Sequence, residues 1–163
     1  MDSVKEVAVQ VDQEFKNEFG RGYGIIEPFL LEDADIVVVT AGSITSTARI
    51  AIGELRRQGR QIGLLKLRLF RPFPREAVQQ ALRGKKKIAV IDRNISLGSG
   101  GIFCQELRAA LVHSPDHPLT FSYIAGVGGS DVTPEAIQRI VSDVMGRDEP
   151  ADAPIWVMEE IQK

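Results

Sequence analysis

The residues able to do chemistry in this chain gather in three polar, small-residue segments. They are Thr40-Ala-Gly-Ser43, Asp92-Arg-Asn-Ile-Ser-Leu-Gly-Ser-Gly-Gly101 and Gly126-Val-Gly-Gly-Ser-Asp131. Small residues at such corners let the backbone approach a neighbour closely, and the free N–H groups of a following helix attract an anion. On that basis Gly42, Ser43 and Thr45 form one candidate ligand or interface corner. Arg93, Asn94, Gly98, Gly100 and Gly101 form a second, and Gly128, Gly129 and Asp131 a third. Arg68 and Arg71 belong to a fourth loop, Arg68-Leu-Phe-Arg-Pro-Phe-Pro74, and bring positive charge to it. The same small residues serve equally well to make a turn, to cap a helix with Ser43 or Thr45, or to let a partner protein pack closely. Asp92 and Asp131 are carboxylates with no nucleophile or base fixed beside them. Gly98–Gly101 is only loosely like a dinucleotide turn, and there is no GxGxxG after a strand, no phosphate-binding GxxxxGK and no GxSxG. No catalytic residue is assigned.

Composition narrows the classes further. A chain of 163 residues, 44% hydrophobic and 26% charged, suits one globular domain with a real core. A net charge of −2 gives no global attraction to nucleic acid or to an anionic membrane. The single cysteine, Cys104, excludes an internal disulfide, a CxxC zinc site and a self-contained iron–sulfur cluster, and its neighbours Ile102, Phe103 and Leu107 mark it as a buried small hydrophobe. His113 and His117 sit four apart in a proline-containing turn, so they share no helix face and no metal site is expected. Lys85, Lys86 and Lys87 read as a solvated edge. The amino terminus lacks the pattern of a signal peptide and no apolar run approaches ~18 residues, so a reducing cytoplasm is expected.

The elements that must position these corners follow from periodicity. Ile36–Val39 is a β-branched run with no polar alternation, which suits a strand buried on both faces of a parallel sheet. Ala48, Ala51, Ile52 and Leu55 then fall at i, i+3, i+4 and i+7, one apolar helix face, with Gly59 as its stop. Gln61–Leu67, Ile88–Asp92 and Leu119–Ala125 read as further strands. Helices follow them at Ala77–Leu82, Phe103–Leu111 and Pro134–Val144, the last with Thr133 as cap. Strand and helix in alternation predict a parallel sheet with helices on both faces, and right-handed crossovers bring every strand-to-helix loop to its carboxyl edge.

The flanks read differently. Val4, Val7, Ala8, Val11, Phe15 and Phe19 repeat at helical spacing, and Gly20–Gly24 breaks the helix. Ile25–Leu31, with Pro28, reads as a short edge strand. The domain plan is therefore a helix and connecting arm over 1–31, an α/β domain over 32–146, and a linker and docking tail over 147–163. Val11 and Phe15 on the arm, and Trp156 on the tail, are candidate docking residues, the tail against a partner or another part of the molecule.

Four ordered motifs carry a resemblance. They are Phe19-Gly-Arg-Gly-Tyr-Gly-Ile-Ile-Glu-Pro28, Leu67–Pro74, Ile91-Asp-Arg-Asn-Ile-Ser-Leu-Gly98 and Tyr123-Ile-Ala-Gly-Val-Gly-Gly-Ser-Asp-Val-Thr-Pro-Glu135. Over roughly residues 4–145 the chain resembles the carboxy-terminal part of the α subunit of pyruvate (2-oxoacid):ferredoxin (flavodoxin) oxidoreductase. The resemblance implies a transketolase carboxy-terminal-like fold, a three-layer α/β/α sandwich with a mostly parallel sheet. It implies an enzyme that decarboxylates a 2-oxoacid on thiamine diphosphate, makes an acyl-coenzyme A, and passes electrons through iron–sulfur clusters to ferredoxin. This chain lacks the thiamine-binding domain, the diphosphate and magnesium motif, and the cluster cysteines. The implied role is thus a non-catalytic, subunit-contact domain that binds no cofactor alone. Its expected partners are the thiamine-binding and iron–sulfur-bearing subunits or domains, with a second copy of itself as a further candidate and ferredoxin engaged indirectly. Pyruvate is the default substrate, with 2-oxoglutarate and branched-chain oxoacids also open. Two other functions remain open: a stand-alone small-ligand or nucleotide-binding module using the three-loop edge, and a pure interaction scaffold.

Overall fold

The residues Ile36–Ala41 form the second strand, β2, at the middle of a six-stranded sheet. Their side chains alternate between two separate cores. Ile36 and Val38 join the core on one face, and Val37 and Val39 the core on the other. Val37, Val38 and Val39 are completely buried, which explains why no polar residue interrupts the run. Burying each such side chain stabilises the fold by roughly 1.5–3 kcal/mol.

The computed structural model describes residues 2–157. In chain order the elements are α1 (Asp2–Phe19), β1 (Ile26–Phe29), β2, α2 (Ile44–Arg57), β3 (Ile62–Leu67), α3 (Arg75–Ala81), β4 (Lys87–Asp92), α4 (Ile102–Leu111), β5 (Leu119–Ala125), α5 (Pro134–Gly146) and β6 (Ile155–Val157). A single 3-10 turn over Val127–Gly129 lies between β5 and α5. The strands lie in the order β1-β3-β2-β4-β5-β6, with β1 antiparallel to β3 and every other pair parallel. Helices α2 and α5 pack together over one face, and α3 and α4 over the other. The architecture is the expected three-layer α/β/α sandwich.

The amphipathic faces read from periodicity are the buried ones. In α2 they are Ala48, Ala51, Ile52 and Leu55, and in α5 Ile137, Ile140, Val141 and Val144. The three lysines at the start of β4 are held more closely than a solvated edge would need. Lys85 Nζ donates to the carbonyl of Leu31, Lys86 pairs with Asp35 at 3.0 Å, and Lys87 Nζ donates to the carbonyl of Val144 at 3.0 Å, near the negative end of α5.

Both flanking segments contribute an edge strand. Ile26–Phe29 pairs with β3, and Pro28 sits on the outer strand, where a missing N–H costs no ladder bond in the sheet interior. The segment expected as a docking plug instead supplies β6, in register with β5 from Ile155 opposite Tyr123 to Val157 opposite Ala125. Its docking surface is therefore this molecule's own sheet, although the Trp156 side chain stays 51% exposed. Met158, also read as part of that plug, lies outside the described residues. Helix α1 forms as expected, but only its Lys5, Ala8, Asp12 and Phe15 flank is half-buried, leaving Val4, Val7 and Val11 exposed. It is tied down at two points: Lys5 pairs with Glu76 at 3.1 Å, and Asp12 accepts the Tyr23 N–H at 2.6 Å while Phe15 packs on Tyr23. No helix among the described residues is long and apolar enough to cross a membrane.

Candidate interface at the carboxyl edge of the sheet

The chain steps from β2 to β3 in one direction across the sheet, then jumps back over β2 to β4 and continues to β5 and β6. The strand order therefore reverses between β2 and β4. In open α/β sheets a crevice forms outside the carboxyl ends of the strands at such a reversal. Here it is a cavity of about 150 Å³ lined by Ser43, Ile44, Thr47, Arg93, Ser130, Asp131 and Val132.

Arg93 ties three of the predicted corners into one cluster. Its Nη1 donates to Ser43 Oγ at 3.3 Å and its Nη2 to the Gly126 carbonyl at 3.2 Å. Gly42, Ser43, Arg93 and the Gly126–Asp131 turn thus meet at one place. Neither residue expected to cap α2 does so. Ser43 occupies the cap position with helical dihedrals (φ −68°, ψ −32°) and makes no side-chain bond to the helix. Its hydroxyl accepts from Arg93 instead. Thr45 lies inside the first turn, buried, and shares a 3.0 Å hydrogen bond with Thr40 Oγ1. The 68–74 loop reaches the same edge but stands apart. Arg68 pairs with Glu27 and lies over the Tyr23 ring at 4.7 Å, while Arg71 pairs with Glu106 at 2.8 Å and lies over Phe70 at 3.9 Å. Both guanidiniums are thus engaged within the chain.

The Asp92–Gly101 segment resolves into a helix cap delivered from a distance. The residue before α4 is Gly101, which has no side chain to offer the exposed N–H groups of the first turn. Asp92 Oδ1 accepts the Phe103 N–H at 2.8 Å, Asp92 Oδ2 accepts the Cys104 N–H at 3.1 Å, and Asn94 Oδ1 accepts the Ile102 N–H at 3.1 Å. Asn94 Nδ2 also donates to Asp92 Oδ1 at 3.4 Å. A β-carbon on residue 101 would lie 2.2 Å from Asp92 Oδ2, so only glycine fits between helix and carboxylate. The acceptor that this helix terminus takes up is the chain's own carboxyl group. Burial raises the Asp92 carboxyl above its usual range, and the bonds from Phe103, Cys104 and Asn94 oppose that rise. Asp92 is completely buried and so cannot meet a substrate as a free acid.

The remaining loop residues shape turns. Gly98 and Gly100 have φ of 81° and 93°, in the left-handed region, and Gly128 and Gly129 likewise turn the chain after β5. Among the described residues no three of His, Cys, Asp and Glu come together to hold a metal ion, and Cys104 is buried with its thiol pushed up chiefly by desolvation. Two features of the site escaped the sequence reading. The capping role of Asp92 and Asn94 depends on a helix start eight to twelve residues away. Leu97, at the tip of the same loop, is 91% exposed.

These features define a class: a three-layer α/β/α domain whose carboxyl edge is largely filled by its own polar side chains. A 2-oxoglutarate:ferredoxin oxidoreductase from Magnetococcus marinus, solved with 2-oxoglutarate, coenzyme A and succinyl-CoA bound, shares the fold with a TM-score of 0.56 and 22% identity, over 82% of this chain and 21% of that one. A split-gene transketolase, described as an inactive beta4 tetramer, does so with a TM-score of 0.56 and 17% identity, over 73% of this chain and 41% of that one. The chain belongs to the family of pyruvate:ferredoxin oxidoreductase core domain II, whose model matches residues 34–137. Among curated relatives it is 38% identical over 152 residues to the pyruvate synthase subunit PorA of Thermotoga maritima, covering 93% of this chain and 39% of that subunit. It is 40% identical over 144 residues to the ketoisovalerate oxidoreductase subunit VorA of Pyrococcus abyssi, covering 88% of this chain and 36% of that subunit. The chain therefore spans under two fifths of the length of these relatives, which carry the resemblance across nearly all of it.

Proposed function

We propose that this chain is a subunit-contact domain of a thiamine diphosphate-dependent 2-oxoacid:ferredoxin oxidoreductase, inactive by itself and needed for assembly of the active site. The complete enzyme would decarboxylate a 2-oxoacid, pyruvate by default, transfer the acyl group to coenzyme A and reduce ferredoxin. The observation that carries this reading is the occupied state of the carboxyl edge. Asp92 and Asn94 cap α4, Arg93 spans the crevice between Ser43 and Gly126, and Arg68 and Arg71 are paired. An edge whose polar groups are satisfied internally suits close packing against protein better than turnover of a substrate.

The side chains present among the described residues do not fit a metal ion or an iron–sulfur cluster. The described residues bring no metal-binding trio together, and one buried cysteine cannot ligate a cluster, so no step is assigned to a residue of this chain. Thiamine diphosphate, magnesium and the clusters belong, in this reading, to companion polypeptides in the cytoplasm, with coenzyme A bound between subunits. The carboxyl-edge residues Gly42, Ser43, Arg93, Gly128, Gly129 and Asp131 would be covered by those companions. Val11 and Phe15 on α1 would dock a second contact, because the adjoining Val4 and Val7 lie exposed on the same helix. Trp156 would contribute a third contact from β6. Functionally the core unit is residues 32–146, with 1–31 and 147–163 as its arm and tail.

Reconstitution tests the proposal. The chain mixed with the thiamine- and cluster-bearing polypeptides should form a complex and support acyl-coenzyme A formation, while each part alone is inactive. Failure to form that complex would refute it. The stand-alone ligand-binding reading has one observation in its favour, the 150 Å³ crevice at Arg93. Titration calorimetry of the isolated chain with coenzyme A, thiamine diphosphate and nucleotides separates the two, since tight binding without companions would favour that module.

A further inference from the structure

Three cations converge where β1, α2 and the carboxyl end of β3 meet. Lys66 lies directly opposite Glu27 in the antiparallel ladder, so the two side chains share one face of the sheet with β-carbons about 4.5–5.5 Å apart. On its other side Lys66 stands level with Thr40 of β2. Glu27 engages a guanidinium with each oxygen: Oε1 pairs with Arg49 of α2, and Oε2 accepts from Arg68 Nε at 2.9 Å. Aromatic rings support both arginines, Arg49 lying 5.0 Å from the centre of the Phe29 ring and Arg68 4.7 Å from that of Tyr23. Asp12, the second carboxylate near Arg68, accepts the Tyr23 N–H at 2.6 Å. Lys66 itself is half-buried, and burial, then Arg68 and Arg49, hold its ammonium below the usual lysine range. The fold thus keeps three positive groups together around one carboxylate, at a point where their mutual repulsion is felt.

We infer that Arg49, Lys66 and Arg68 form a binding site for a phosphate group, carried either by free inorganic phosphate or by a nucleotide as its ester. Donor arithmetic favours a second anion here. A guanidinium has five N–H donors and an ammonium three, whereas one carboxylate offers about four lone-pair sites. A phosphate monoester adds a charge of about −2 and three acceptor oxygens. The planar fork of arginine matches that geometry, and the lysine supplies a compact point charge between the two forks. Glu27 acts as the strut that sets the spacing of the two guanidiniums, so little ordering is left to be done when the anion arrives. The site shares no residue with the crevice at Arg93, and it stands whether or not the chain serves as a subunit-contact domain.

The test titrates the isotope-labelled chain by NMR with inorganic phosphate and, separately, with adenosine monophosphate, at constant ionic strength held with sodium chloride. Shifts should saturate and concentrate at Glu27, Arg49, Lys66, Arg68 and their immediate neighbours. Tighter binding of the nucleotide assigns the site to a phosphate ester, and equal or weaker binding assigns it to the free anion. Lys66→Met should weaken phosphate binding about 10-fold, the loss of one charge-assisted hydrogen bond. Lys66→Arg, which keeps the charge, should bind within about 3-fold of wild type. Arg57→Met, an equal loss of charge at the far end of α2, should leave binding unchanged. The wild-type chain gives a second readout that no variant can confuse. Its Lys66 side chain should titrate below the ordinary lysine value of about 10.4, and that value should rise on saturation with phosphate, because a bound dianion favours the ammonium. Shifts spread evenly over the surface, Lys66→Met binding as tightly as wild type, or a Lys66 titration that phosphate does not move would each overturn the inference. All three results leave the subunit-contact proposal standing, since that proposal is read from complex formation with the companion polypeptides.

Discussion

Replacing Asp92 with alanine should be among the most damaging single changes in this chain. The carboxylate is completely buried and accepts two backbone N–H groups of α4, from Phe103 at 2.8 Å and from Cys104 at 3.1 Å. Alanine leaves both donors without a partner where water does not reach. Each orphaned buried donor costs about 1–3 kcal/mol, so the loss should be about 2–6 kcal/mol against a typical domain stability of about 5–15 kcal/mol. Urea unfolding followed by circular dichroism reads it directly. Asp92→Asn should cost less, because one amide oxygen can still accept from Phe103 while its NH₂ opposes the Cys104 N–H. The two proteins should also differ in pH dependence. Burial raises the folded-state Asp92 value, so the fold favours the neutral acid. That contribution is complete below the ordinary carboxylate value of about 3.9 and is lost as pH rises through the raised value. Asparagine cannot ionise, so the stability gap between wild type and Asp92→Asn should narrow as pH rises through that window. A loss under about 1 kcal/mol for Asp92→Ala would refute the capping argument, and a gap that widens with pH would refute the sign of the shift.

Other expectations are simpler to check. Leu65→Ala, at a completely buried position in β3, should lower stability by about 2–5 kcal/mol in the same assay. Thr133→Ala removes the oxygen that accepts the Ala136 N–H at 3.2 Å and should cost about 1 kcal/mol. Tyr123 should ionise well above the usual tyrosine range in an ultraviolet pH titration, since it is buried and its hydroxyl donates to Asp143 at 2.7 Å. Tyr123→Phe should cost about 1 kcal/mol, with a normal fold. Amides of α1 should exchange with deuterium far faster than those of β2 and β4, because the helix is tied to the rest chiefly through Lys5–Glu76 and Asp12–Tyr23.

The sheet and its helices were legible because each signal was local. Val37, Val38 and Val39 declare a doubly buried strand, and Ala48, Ala51, Ile52 and Leu55 declare one buried helix face, without reference to the rest of the chain. The β6 strand was not legible. Three residues after Pro154 are too few to show alternation, and what makes them a strand is the free edge of β5. The site divides the same way. The gathering of Ser43, Arg93 and Asp131 followed from topology alone, since parallel strands with right-handed crossovers leave their loops on one edge. The roles of the side chains did not follow. Ser43 and Thr45 stand where caps usually stand yet leave α2 without a side-chain cap, whereas α4 is capped by Asp92 at the end of β4 and by Asn94 just beyond it. Leu97 sits among serines and glycines that suggest only a turn, and its exposure depends on hydrogen bonds that close the loop beneath it.

The central claim is that the carboxyl edge is covered by other protein in the working enzyme. Hydrogen–deuterium exchange of the chain, free and mixed with the thiamine- and cluster-bearing companions, tests it most directly. The account predicts slowed exchange concentrated in residues 93–101 and 126–131. Protection confined to the opposite, amino edge of the sheet, or no change anywhere on mixing, would contradict it.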